Sequence, residues 1–150
     1  MKYLIFVLVL TFSVLSCNNT VQSSQEPVTT TLISKGELYG NGAEGILSSQ
    51  RVINDTSAWN SLLDQMNSVN TVSDSFSEID INFSEFTVIA VFDDIKGNGG
   101  YGIDLAVSST NETIIVDVTH LSPEGNAITV MTQPYHIIKI PKALLPVVFN

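Results

Sequence analysis

Phe86-Thr87-Val88-Ile89-Ala90-Val91-Phe92 leaves no side of itself for water. Strand residues alternate between two faces, and here both faces are apolar, so the run reads as a central strand covered above and below. Further on, Tyr101, Ile103, Leu105 and Val107 alternate with Gly102, Asp104, Ala106 and Ser108. That period of two describes a half-buried antiparallel strand. Ile114, Val116 and Val118 alternate with Ile115, Asp117 and Thr119 in the same way. Residues 33–39, 46–53, 127–131 and 135–140 are further β-rich runs. Pro141 ends the last of them, because it has no N–H to give a ladder.

One segment has a different period. Asp55-Thr56-Ser57 offers a helix N-cap, and Trp59, Leu62, Leu63 and Met66 then fall on one stripe at i, i+3, i+4 and i+7. A lone helix with such a stripe needs a sheet to cover, and Trp59 reads as the anchor between the two, with ligand stacking as the alternative. Residues 71–85 form a long acidic connection, broken by Phe76, Ile79, Ile81 and Phe83. Its Ile79-Asp80-Ile81-Asn82-Phe83 alternation suits either a short strand or a segment docked by its apolar side. The expected fold is α+β: a single domain over residues 33–150, a mainly antiparallel sheet of about seven strands covered by one main helix.

The N-terminus carries an address. Lys2 is followed by an apolar run over residues 3–15, then by Ser16 and Cys17, the only cysteine of 150 residues. This is the layout of a secretory signal peptide over residues 1–16. The run is too short for a spanning helix, which needs about 20 residues. The Leu15-Ser16-Cys17 ending resembles a bacterial lipobox, which implies a diacylglycerol on the Cys17 sulfur, cleavage before Cys17 and acylation of the new N-terminus. Two or three acyl chains anchor a protein stably. Ordinary cleavage with a free thiol is the competing reading. Residues 17–32 are then the lipidated cysteine and a tether of Asn, Thr, Gln, Ser, Glu and Pro, with too little apolar surface to fold. The expected location is the cell envelope, facing the periplasm or on the outer membrane.

Fifteen acidic against six basic residues give a net charge of −9, which disfavours nucleic acid and anionic headgroups. With Cys17 acylated no disulfide is available, so stability rests on packing.

The reactive residues form no recognisable catalytic set. The two histidines, His120 and His136, lack His or Cys neighbours at zinc-ligand spacing and read as strand residues at a sheet edge. No serine sits in Gly-x-Ser-x-Gly. Asp93-Asp94 reads as two solvated charges ending a strand, with calcium binding as the weaker alternative. Lys96-Gly97-Asn98-Gly99-Gly100-Tyr101-Gly102 joins two strong strands and predicts a tight hairpin. A phosphate cradle needs a following helix, and a strand follows here. The expectation is therefore no enzyme, no cofactor and no metal site.

Residues 81–92, then Gly99-Gly100-Tyr101-Gly102-Ile103, then Ile114-Ile115-Val116-Asp117-Val118, then Thr132-Gln133-Pro134-Tyr135-His136 continuing to Lys142, together resemble the C-terminal domain of the protease complex subunit PrcB family. Trp59 fits the helix of that pattern, so the likeness covers residues 59–142. The resemblance implies a lipid-anchored exported domain that associates with a protease complex, and it carries over no catalytic residue. Gly99, Gly100, Tyr101, Pro134, Tyr135 and His136 match its signature either as contacts or as fold determinants.

The functional expectation is a membrane-anchored accessory subunit that binds an exported protease or another envelope protein. Asn98, Gly99, Gly100 and Tyr101 in one loop, with Pro134, Tyr135 and His136, are the expected partner contacts; aromatic loop anchors tend to dominate interfaces. A loop-based protease inhibitor is the alternative, on a loose likeness of Gly100-Tyr101 and Pro134-Tyr135 to inhibitory loops. An envelope hydrolase and a small-ligand or metal-binding module stand further back.

Overall fold

The computed structural model describes residues 25–125, 127–142 and 144–150. Among the described residues there are eight strands: β1 (Glu26–Pro27), β2 (Thr31–Leu38), β3 (Ser49–Ile53), β4 (Phe86–Phe92), β5 (Gly102–Ser109), β6 (Ile114–Leu121), β7 (Gln133–Pro141) and β8 (Val147–Phe149). One α-helix, α1 (Thr56–Met66), and a short 3-10 helix (Val72–Ser75) complete them. The fold class is α+β, mainly antiparallel, with a single covering helix as expected. The expected single sheet is two sheets, ordered β1-β5-β6-β8 and β2-β7-β4-β3. Every strand pair is antiparallel except β6 with β8.

The strand β4 explains the layering. Its Val88, Ala90 and Phe92 pack with Trp59, Leu62, Leu63 and Met66 of α1, while Ile89 and Val91 pack with Ile103, Val107, Ile114 and Val116 of the other sheet. The molecule is therefore helix on sheet on sheet, with β4 and β7 in the middle. Each fully buried aliphatic side chain here contributes about 1.5–3 kcal/mol. The helix starts where the sequence says. Asp55 accepts a bond from the Ala58 N–H at 2.9 Å, and the four stripe residues are the buried ones. Trp59 is the core anchor, its indole N–H donating to the Ile79 carbonyl at 2.7 Å. Residues 79–83 form no strand; Phe76, Ile81 and Phe83 dock on the helix-side core.

Several expectations change. The folded part starts before residue 33: β1 pairs with Ser108 and Ser109, and β2 begins at Thr31. The tether boundary at residue 32 therefore moves forward, while the signal peptide, Cys17 and residues 18–24 lie outside the described residues. Residues 127–131 are not a strand, because there the chain is crossing from one sheet to the other. The Gly-rich segment is not a tight hairpin, for the same reason: β4 and β5 belong to different sheets. The strand β8 was not foreseen.

Candidate functional site

The strand directions bring three connections to one end of the molecule. They are residues 39–48 between β2 and β3, residues 93–101 between β4 and β5, and residues 122–125 with 127–132 between β6 and β7. Buried polar groups tie them together. Gln133, 1 % exposed, donates its amide to the Ile46 carbonyl and to the Asp93 carbonyl, both at 2.9 Å, joining the first loop to the second. Thr132, fully buried, donates its hydroxyl to Glu37 at 2.8 Å, and the same Glu37 oxygen accepts the Gly100 N–H at 3.2 Å. Lys96 and Thr132 exchange both backbone hydrogen bonds, and the Gly99 N–H donates to the Ile128 carbonyl at 3.1 Å. Three loops of different origin thus behave as one cap.

Asp93 is the charged centre of that cap, and the expectation that it stays solvated is wrong. Its carboxylate is 8 % exposed and accepts Lys96 Nζ at 2.9 Å, His120 Nδ1 at 3.1 Å and the Asp94 N–H at 2.7 Å. Burial alone would raise its pKa; the bonds from Lys96, Asp94 and His120 and the Lys96 charge outweigh burial and hold it below the usual carboxylate range. Asp94 is exposed. His120 stands at the open end of β6, beyond β8, as the edge reading expects. Its Nδ1 is held by Asp93 in the manner of an oriented base, but Lys96 shares the same oxygen, and no hydroxyl among the described residues bonds to the imidazole. The arrangement links the two sheets. Among the described residues no three His, Cys, Asp or Glu side chains gather as a metal site.

The surface of the cap is apolar. Leu47 is 78 % exposed and Ile128 72 %, and Tyr39, Ile95, Leu121 and Met131 are also open to solvent. A depression of about 350 Å³ runs between Gly99 and Gly100 on one side and Pro123 and Ile128 on the other.

The expected contact residues divide. Gly100 is exposed at φ 88°, Asn98 is half-buried with its carbonyl accepting the Thr132 hydroxyl at 3.3 Å, and Gly99 is buried against Ile128 and Val130. Tyr101 is half-buried, with Lys96 Nζ 5.4 Å from its ring centroid. These four lie together in the cap. Pro134, Tyr135 and His136 do not join its surface: all three are buried in β7, a central strand. Tyr135 meets Ser34 Oγ through its hydroxyl at 3.0 Å, and His136 Nδ1 donates to the Ile103 carbonyl at 2.7 Å across the sheets. They are fold determinants, and the reading of His136 as an edge residue gives way. Sequence reasoning missed Leu47, Ile95, Ile128 and Met131. Only Ile95, beside the Gly-rich segment, carried a local signal; Leu47, Ile128 and Met131 lie in runs that read as strands. Comparison with known proteins found no matching family model, no matching curated protein and no matching solved structure.

Proposed function

We propose that this chain is a lipid-anchored exported module that docks a protein partner on its three-loop cap and performs no reaction of its own. The observation that carries the reading is the cap itself: exposed Leu47, Ile95, Ile128 and Met131 stand on loops fixed from beneath by Gln133, Thr132 and Glu37. Exposed apolar groups grouped together mark interaction sites, and a rigid presenting surface lowers the ordering cost of binding. The lipobox-like Cys17 supplies the anchor. The PrcB-like pattern makes an exported protease complex the first partner to try. The inhibitor alternative loses one of its two loops, because Pro134 and Tyr135 are buried.

The test is photocrosslinking in the native envelope from a probe placed at Leu47 or Ile128, with Leu144 at the opposite end as control. One discrete protein adduct is expected from the first two positions, absent from the third and lost when Ile95→Ser and Met131→Ser are combined. Identical adducts from all three positions, or none from any, remove the reading.

A further inference from the structure

Three of the four outer strands have blunted edges. β1 has two residues and includes Pro27, and β8 has three. β2 carries a register break between Leu32 and Ser34, and Ser77 occupies two of its carbonyls: its N–H bonds Ile33 at 3.0 Å, its hydroxyl Leu32 at 2.7 Å. These are the devices by which proteins prevent edge pairing. β3 has none of them. It pairs with β4 in unbroken register, contains no proline, and has no strand on its other side among the described residues.

Two cavities lie along that same strand. The upper, about 260 Å³, is lined by Ser48, Ser49, Gln50, Val91, Phe92 and His120. The lower, about 210 Å³, is lined by Val52, Ile114, Ile140, Leu145, Pro146 and Val147, together with Asn54 and Thr87, whose side chains bond each other at 2.7 Å. Gln50 faces Val91 and Val52 faces Ile89 across the ladder, so both point to the inter-sheet side. They are two residues apart on one face, which sets the cavities about 7 Å apart, the side-chain repeat of a strand.

We propose that β3 accepts an extended segment of a partner protein as an added strand, whose side chains i and i+2 enter the two cavities. Main-chain pairing gives such a complex its affinity and the alternate pockets its selectivity. The lower cavity takes an aliphatic side chain. The upper takes Lys or Arg, because Ser48, Ser49, Gln50 and His120 make its walls polar and the whole chain carries −9. Lys96 is committed to Asp93, and Arg51 lies on the other face with its guanidinium 5.3 Å from the Phe92 ring centroid. The upper cavity borders the cap at Ser48 and His120, whereas the lower one lies away from it.

The test uses the full chain in detergent micelles and fluorescence anisotropy of a labelled short peptide of Thr and Val around a central Lys-Thr-Leu. Two further peptides are N-methylated, each on one alternate set of amides. Saturable binding is expected, weakened by about tenfold or more by one methylated set and spared by the other, since only every second amide of a strand faces a given neighbour. Val52→Arg, which fills the lower cavity, weakens binding to the same degree without moving the melting temperature, whereas Ile128→Ser leaves it unchanged. Absence of saturable binding, equal loss with both methylated sets, or indifference to Val52→Arg overturns the proposal. A dimer in sedimentation that Val52→Arg dissociates assigns the edge to a second copy and overturns it as well.

Discussion

His136 is a basic side chain that the fold keeps neutral. Burial is the main cause of its lowered pKa; the nearby Lys35 charge adds to it, and the bond to Ile103 and the Asp104 carboxylate only partly offset them. The unfolded chain takes up a proton near pH 6.5, but the folded one resists until lower pH. Stability from this residue is therefore complete above about pH 6.5 and falls as the pH drops from there toward the folded pKa. Urea unfolding across that window is expected to show the decline, and His136→Gln is expected to flatten it. Asp93 is held charged rather than neutral, and its pH dependence has the same sign. Its folded pKa is depressed below the ordinary 3.8, so its contribution is present above that value and disappears as pH falls through the folded pKa. Asp93→Asn leaves Lys96 without its counter-charge and is expected to cost about 1–3 kcal/mol at neutral pH. The same urea series run at the lowest attainable pH should show that difference shrinking, because the native carboxyl is then protonated too. A difference that persists unchanged would assign the loss to packing.

The elements differ in how much of themselves they declare. The helix α1 is written locally: cap, stripe and end all lie within residues 55–67, and the structure follows them. Removing the cap by Asp55→Ala is expected to lower stability by about 1 kcal/mol in thermal unfolding. The double-faced apolarity of β4 likewise states that something covers each side. Alternation tells which way a side chain points and never which sheet the strand joins, so the division into two sheets is invisible to it. The Gly-rich segment has the local chemistry of a hairpin. What makes it a crossover is Thr132, Gln133 and Glu37, all more than thirty positions away in sequence. Asp93 looks like a charge ending a strand until His120, 27 residues on, closes over it. β8 is too short for periodicity to register. In the cap, the Gly99-Gly100-Tyr101 half was legible from its glycines, whereas Leu47, Ile95, Ile128 and Met131 were not, since their exposure is decided by loops that meet only in space. The loop glycines carry the matching constraint. Gly42 has φ 79°, and a Cβ there would run into the Ile95 side chain. Gly42→Ala is expected to cost about 1–3 kcal/mol and to disturb the Ile95 environment, measurable as a loss of melting temperature together with weaker crosslinking from the cap.

At the scale of the whole molecule, the chain's entry and the cap lie at opposite ends. β1 pairs with Ser108 and Ser109 at the far end of β5, and the near end of β5 at Gly102 adjoins the Gly-rich loop. Strand rise makes that separation about 25 Å. Residues 142 and 144–146 sit at the entry end, because β7 finishes at Pro141 and β8 begins opposite Ile114, where β6 begins. Under the anchoring proposed at Cys17, the described chain enters from the end remote from its apolar loops, and that is the end the anchor would hold. This geometry separates a module that presents its loops to a partner from one that buries them in the bilayer. In proteoliposomes, a fluorophore on Leu144→Cys is expected to be quenched by headgroup-attached quencher more strongly than one on Ile128→Cys. With Cys17 acylated as proposed, the introduced thiol is the single labelling site. Cys17→Ser should release both labelled proteins into the supernatant, which ties the difference to the anchor. Stronger quenching at Ile128 would mean that Leu47, Ile95 and Ile128 are membrane contacts, and the cap would then cease to be a surface for a protein.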